Sequence, residues 1–175
     1  MSCSRRDFLL ATGAVVLLGE VFPGRVFAQD ADKPVRLTGY PKRKIGKLSE
    51  LAAGEPVEFL YPDDGPHSIC MLYKLGRRAG GGVGPDNDVV AFNQLCTHQG
   101  GLLRGQYSKE HAVAGPCPIH LTTFDLERHG MVVSGHATEN LPQVVLELDG
   151  DDIYATAVLG LIYGYPANTA FVKGS

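Results

Sequence analysis

Two short motifs constrain this chain more than anything else in it: Cys96-Thr97-His98 and Cys117-Pro118-Ile119-His120, with eighteen residues between them. Each offers one thiolate and one imidazole within a few positions, and each sits in a stretch rich in Gly or Pro. A lone cysteine is often buried for packing alone. Two Cys/His pairs read instead as two tight turns that the fold must bring together, so that two sulfurs and two nitrogens meet.

Two kinds of metal centre suit that donor set. Tetrahedral zinc accepts two cysteines and two histidines, and a zinc-stabilised Cys2His2 binding module is the bland reading. Zinc fingers usually pair Cys with Cys and His with His, whereas each loop here mixes them. A [2Fe–2S] cluster with one iron on two thiolates and the other on two imidazoles accounts for the mixing, because each loop then gives one ligand to each iron. His67, His111, His129 and His136 lack a cysteine neighbour at ligand spacing and read as surface or hydrogen-bonding residues. Cys70, within Ser68-Ile69-Cys70-Met71-Leu72, reads as a buried strand cysteine. The run Gly80-Gly81-Gly82-Val83-Gly84 has no Lys-Ser/Thr after it and no βα unit around it, so it is no phosphate cradle.

The N-terminus reads as an address. Ser4-Arg5-Arg6-Asp7-Phe8-Leu9-Leu10 opens on paired arginines, a short apolar stretch follows, and Val26-Phe27-Ala28 offers a small-residue exit. These are the parts of a twin-arginine export signal over residues 1–28. That route carries folded proteins, so the leader predicts a cofactor inserted before export, and the periplasm as destination. Cleavage near Ala28 is expected; a retained leader would hold the protein at the outer face of the inner membrane. Cleavage also removes Cys3 and leaves Cys70, Cys96 and Cys117, an odd number that suits ligands better than disulfides. Formal charge is −3 with no basic block, which gives nucleic acid no electrostatic footprint.

Residues 29–47 read as a linker or edge segment, and residues 48–175 as one domain. Short strands are predicted at 57–61, 68–75, 88–93, 112–114, 131–134, 143–148 and 153–158, with a hairpin turn at Asp149-Gly150-Asp151-Asp152. Residues 77–88 read as a flexible hairpin tip or loop, and only residues 47–53 look helical. The fold class is all-β, an antiparallel sandwich or barrel, carrying a smaller loop-rich subdomain at about 94–142. That subdomain holds five of the six histidines. Residues 160–175 read as an apolar tail, packed on its own sheet or reaching a partner.

Cys96-Thr97-His98-Gln99-Gly100 and Cys117-Pro118-Ile119-His120 resemble the two cluster-binding boxes of Rieske iron–sulfur proteins, C-T-H-x-G-C and C-P-C-H-G-S-x-Y/F-D. The resemblance continues through Thr122, Phe124 and Asp125, and through residues 135–142, which resemble the proline loop covering the cluster. It implies a Rieske [2Fe–2S] cluster on Cys96, His98, Cys117 and His120. Around it would lie Gly100, Gly101, Thr122, Phe124 and Pro142, with glycine backbone N–H groups approaching the sulfides. Thr122 stands at a serine position and keeps the hydroxyl, whereas Phe124 stands at a tyrosine position and has no donor. Gly101 and Ile119 stand where Rieske proteins of cytochrome bc complexes carry a bracing disulfide. An exported, disulfide-free chain of this kind is most similar to the small subunits of arsenite oxidases. That resemblance implies a large molybdopterin subunit with a [3Fe–4S] cluster as partner, and a periplasmic cytochrome c or small copper protein as electron acceptor. A Rieske subunit of a quinol-oxidising complex is the alternative within the class.

Overall fold

The five residues Val89–Asn93 are all buried, which a strand achieves only when both its faces are covered. Side chains alternate across a strand, and the two sets go to different places. Val89 and Ala91 enter one apolar core with Cys70, Leu72, Val144, Leu146, Ile153 and Ala155. Val90 and Phe92 enter a second core with Tyr73, Leu103, Phe124, Leu126 and Leu141. Cys96 and Cys117 belong to this second core.

The computed structural model describes residues 39–172; the leader and residues 29–38 lie outside the described residues. In chain order the strands are β1 (Arg43–Lys47), β2 (Val57–Leu60), β3 (Ile69–Lys74), β4 (Val89–Asn93), β5 (Tyr107–Ser108), β6 (Val113–Ala114), β7 (Thr123–Asp125), β8 (Met131–Ser134), β9 (Gln143–Asp149) and β10 (Asp152–Leu159). A six-stranded sheet runs β1-β10-β9-β4-β3-β2, and a four-stranded sheet runs β5-β6-β7-β8. Every pairing is antiparallel. The first core covers one face of the large sheet, and the second carries the small sheet and the donor loops on the other. This is the all-β antiparallel architecture that the strand pattern predicts. Among the described residues no helix is long and apolar enough to cross a membrane.

The departures have local causes. Residues 43–47, read as part of a linker or edge segment, form the edge strand β1, whose basic sequence hides its alternation. The expected helix at 47–53 is a single 3-10 turn, Leu48–Glu50. Pairing of β1 with β10 runs as far as Lys47↔Asp152, so little chain is left to wind. Asp151, in the β9–β10 turn, accepts hydrogen bonds from the Ser49 N–H at 2.9 Å and hydroxyl at 2.7 Å. Residues 77–88 form a loop, as one of the two readings has it, but a pinned one: the Gly80 N–H donates to the Glu127 carbonyl at 2.8 Å, and Gln143 Nε2 donates to the Gly80 carbonyl at 2.8 Å. The described part of the tail packs on its own sheet through Ile162 and Tyr165.

Candidate metal centre

Three loops meet at one end of the second core. Loop 1 (residues 95–102) follows β4 and is closed by a bridge between Leu95 and Leu102. Loop 2 (residues 115–122) joins β6 to β7, and loop 3 (residues 135–142) joins β8 to β9. Loops 1 and 2 have the same backbone frame. In loop 1 the Cys96 N–H donates to the Gly101 carbonyl and the Gly100 N–H returns to the Cys96 carbonyl, both at 2.8 Å. In loop 2 the Cys117 N–H donates to the Thr122 carbonyl at 2.8 Å, and the Leu121 N–H returns to the Cys117 carbonyl at 2.9 Å. The fifth residue of each turn is left-handed: Gly100 at φ +69° and Leu121 at φ +62°.

This frame sorts the donors by depth. Cys96 and Cys117 are buried, and neither is in a disulfide. His98 and His120 are half-buried, with ring centroids 4.7 Å apart in an edge-on arrangement. Burial pushes the Cys96 thiol above its ordinary value, and the neighbouring Cys117 adds to that. The His98 N–H and the Thr122 hydroxyl, both donating to Cys96, oppose it. Burial, then His120 and His136, lower the pKa of His98. Its Nδ1 is buried with no hydrogen-bond partner, the condition a metal-ligating nitrogen needs. Among the described residues no three His, Cys, Asp or Glu side chains converge on one ion position. The donors form a buried cysteine pair and a half-buried imidazole pair, with one of each from either loop, and that mixed set fits a two-iron cluster.

The remaining predicted residues are placed as follows. Gly101 lies against loop 2: a Cβ there would stand 2.6 Å from Cys117 Sγ and 3.0 Å from Ile119 Cδ1. Thr122 is fully buried, and its Oγ1 accepts from the His136 N–H at 3.1 Å and the Ala137 N–H at 3.3 Å. Phe124 is fully buried in the core that holds both cysteines. Pro142 is buried, and its carbonyl accepts the Asn93 N–H at 2.9 Å, anchoring loop 3 to β4. One expectation needs correction. The Gly100 N–H is not free to approach a sulfide, because the turn itself uses it on the Cys96 carbonyl.

Three residues with no assigned role also belong here. His136 is exposed on loop 3, its ring centroid 5.6 Å from that of His98 and 6.4 Å from that of His120. Thr97 Oγ1 donates to the Glu139 carbonyl at 2.8 Å, tying loop 1 to loop 3. Tyr163 lies so close over Gly100 that a Cβ there would stand 2.5 Å from its ring. The position of His136 directly after Gly135, in the loop expected to cover the cluster, was the available signal. His67 and His129 lie elsewhere, beside Tyr165 and Gln143, and exposed His111 lies beside Glu110.

Residues 42–145 match the Rieske [2Fe-2S] domain, a span that contains all four donors. The chain belongs to the Rieske [2Fe–2S] domain family, and its cofactor is a [2Fe–2S] cluster rather than zinc. Beyond the domain it is similar to the iodate reductase subunit IdrB of Denitromonas iodatirespirans, at 62% identity over 167 residues, covering 95% of this chain and 87% of that protein. It is 56% identical over 164 residues to the IdrB subunit of Pseudomonas sp. (strain SCT), covering 93% of this chain and 82% of that one. Among solved structures it resembles the soluble domain of Rieske protein II from Sulfolobus acidocaldarius. That match has 26% identity and a TM-score of 0.65, over 75% of this chain and 85% of the other.

Proposed function

We propose that this chain is the Rieske electron-transfer subunit of an iodate reductase, partnered by a larger catalytic subunit. Cys96 and Cys117 hold one iron of its cluster, and His98 and His120 hold the other. The observation that carries this reading is the extent of the resemblance to the iodate reductase subunits, which reaches 95% of the chain at 62% identity and runs well outside residues 42–145.

When bound, the cluster takes up and passes on one electron. The chain's own groups set the terms. The buried thiols keep the sulfur side away from water, and the half-buried imidazoles offer an edge through which an electron can cross. Ile119 and Leu121, 55% and 66% exposed, flank His120 and give a partner an apolar surface that would expel water from the contact. The buried Thr122 hydroxyl accepts two loop 3 N–H groups with its oxygen, and its proton, turned to a sulfur of the site, would favour the more negative, reduced state.

The arsenite oxidase reading rests on the sequence of the two boxes and on Gly101 and Ile119 standing at the brace positions. It uses the same kind of subunit pair with the current reversed. A large molybdopterin subunit with a [3Fe–4S] cluster feeds this cluster, and a cytochrome c or small copper protein drains it. One experiment separates the two. In the complex purified from its own periplasm, iodate should oxidise the dithionite-reduced cluster, restoring its visible absorbance and removing its rhombic paramagnetic signal. Arsenite should leave the oxidised cluster unchanged. The reverse pattern would replace iodate reduction with arsenite oxidation. Periplasmic export through Arg5 and Arg6 is part of the proposal: lysine at both should strand the folded protein, with its catalytic partner, in the cytoplasm.

A further inference from the structure

Residues 160–168 follow β10 and lie beyond the span 42–145 that matches the Rieske domain. They are pinned on both sides of Tyr163. Ile162 is fully buried in the first core, and its N–H donates to Asn168 Oδ1 at 2.8 Å. Asn168 Nδ2 donates in turn to the Gly160 carbonyl at 2.7 Å. Tyr165 is buried as well, and its hydroxyl donates to Asp63 Oδ1 at 2.8 Å. Between these anchors the Tyr163 ring is held on loop 1.

What lies under the ring gives it a task. Gly100 holds φ +69°, and its N–H closes the turn on the Cys96 carbonyl at 2.8 Å. A Cβ at Gly100 would stand 2.5 Å from both Cδ1 and Cε1 of Tyr163, so ring and turn are in contact. A groove of about 810 Å³ opens beside them, and its lining includes Thr97, Glu139, Leu161 and Tyr163 but not Gly100. The ring thus stands between the solvent of that groove and the turn that carries Cys96, which is 1% exposed.

We propose that residues 160–168 are a strap that presses Tyr163 onto loop 1, and that Tyr163 is a positioning residue which keeps water from the Cys96 turn and so holds the reduction potential down. The sign follows from charge. An added electron makes the cluster more negative, and water stabilises that charge, so a cover that excludes water opposes it. The ring also keeps water from competing for the Gly100 N–H, and the turn stays closed. The inference rests on Cys96 and His98 as ligands of the cluster and is independent of which oxyanion the complex acts on.

The test is a redox titration of the cluster-loaded full-length protein, followed by its rhombic paramagnetic signal. At the parent's midpoint potential, Tyr163→Ala should raise the ratio of reduced to oxidised cluster from one to about three or more. Tyr163→Phe keeps the ring and should leave the ratio near one. Hydrogen exchange of the Gly100 N–H should quicken severalfold in Tyr163→Ala, while that of its loop 2 counterpart, the Leu121 N–H, stays at the parent rate. Asn168→Ala releases the strap at Gly160 and Ile162 and should shift the ratio the same way, by less. Added to Tyr163→Ala it should shift nothing further, because its effect passes through the ring. The proposal is overturned if Tyr163→Ala leaves the ratio at one, if Tyr163→Phe shifts it as far, if both loops exchange faster alike, or if the two alanine variants add. Should Tyr163→Ala fail to hold a cluster, the other two single variants decide: a rise in Asn168→Ala with none in Tyr163→Phe upholds the strap, and any other pair of results overturns it. Failure of the ligand assignment shows separately, as an intact spectrum in Cys96→Ser, and would overturn both.

Discussion

Loops 1 and 2 share one backbone frame and differ in what fills it. Both close a turn from a cysteine to the residue five positions on, and both turn left-handed at the position before that. Loop 1 fills these last two places with Gly100 and Gly101, loop 2 with Leu121 and Thr122. The glycines answer to neighbours: Tyr163 sits on Gly100, and the Cys117 thiol sits on Gly101. Leu121 points outward, 66% exposed, while Thr122 is buried and its hydroxyl accepts two N–H groups of loop 3. Loop 1 is thus constrained by space and loop 2 by chemistry. Sharing a frame does not make equivalent positions interchangeable.

At the four donors the two loops should behave alike, and here the largest effect is expected. Cys96→Ser and Cys117→Ser should each abolish the visible iron–sulfur absorbance, and His98→Ala and His120→Ala should each lose or rearrange the cluster. An intact spectrum in all four variants would dissolve the comparison along with the site.

The next effect should separate the loops. Gly100→Ala adds a Cβ at φ +69°, 2.5 Å from the Tyr163 ring. The left-handed backbone costs an alanine about 1–2 kcal/mol, and the ring must be displaced as well. Faster loss of the cluster on heating is expected, by severalfold in rate. Because Tyr163 is 40% exposed, its ring has somewhere to go, so Gly100→Ala with Tyr163→Ala should recover the steric part and leave the backbone part. Equal rates in the single and double variants would show that Tyr163 does not constrain loop 1.

Chemistry at the last position should be readable in the reduction potential. A donor to a ligand sulfur stabilises the added electron, so its loss lowers the potential. Thr122→Val removes the hydroxyl at nearly constant volume. A hydrogen bond worth about 1 kcal/mol corresponds to roughly 40 mV for one electron, and a fall of about that size is expected in a redox titration. The variant also frees two loop 3 N–H groups, so hydrogen exchange at His136 and Ala137 should rise with it. Phe124→Tyr, in the core beside both cysteines, should raise the potential if the new hydroxyl reaches a sulfur. No change in either variant would mean that backbone N–H groups and solvent set the potential.

Legibility in the sequence followed the range of the interactions. The strands at 69–74, 89–93, 131–134, 143–149 and 152–159 stand where alternation and turn residues put them, because that signal is local. β1 was hidden because its sequence, Arg-Lys-Ile-Gly-Lys, is mostly charged and its pairing with β10 is irregular between Lys44 and Gly46. The four candidate donors were legible because two mixed motifs specify two loops. Their surroundings were not, since Thr97–Glu139, Thr122–His136 and Tyr163–Gly100 join positions 42, 14 and 63 residues apart in the sequence. His136 has no cysteine neighbour in the sequence to mark it, yet loop 3 brings it to the imidazole pair. Spacing likewise does not show that the turn claims the Gly100 N–H for the Cys96 carbonyl.

The smallest effect should run opposite to the Gly100 result. Leu121 holds φ +62°, a conformation that costs a residue with a Cβ about 1–2 kcal/mol. Leu121→Gly removes that strain. It also gives the unfolded chain more freedom, which costs about 0.5–1 kcal/mol in return, and it forfeits little burial because the side chain is 66% exposed. The balance runs from about zero to a stabilisation of about 1.5 kcal/mol, and 1 kcal/mol is a rise of roughly 2–4 °C for a domain of this size. The readout is the midpoint of thermal bleaching of the cluster, beside the parent and Gly100→Ala. Opposite signs at the two left-handed positions would sharpen the comparison: the frame asks for glycine in both loops, and only loop 1 complies. A fall in the Leu121→Gly midpoint would mean that the leucine packs against something loop 2 needs, and that its exposed face belongs with Ile119 to the surface a partner meets.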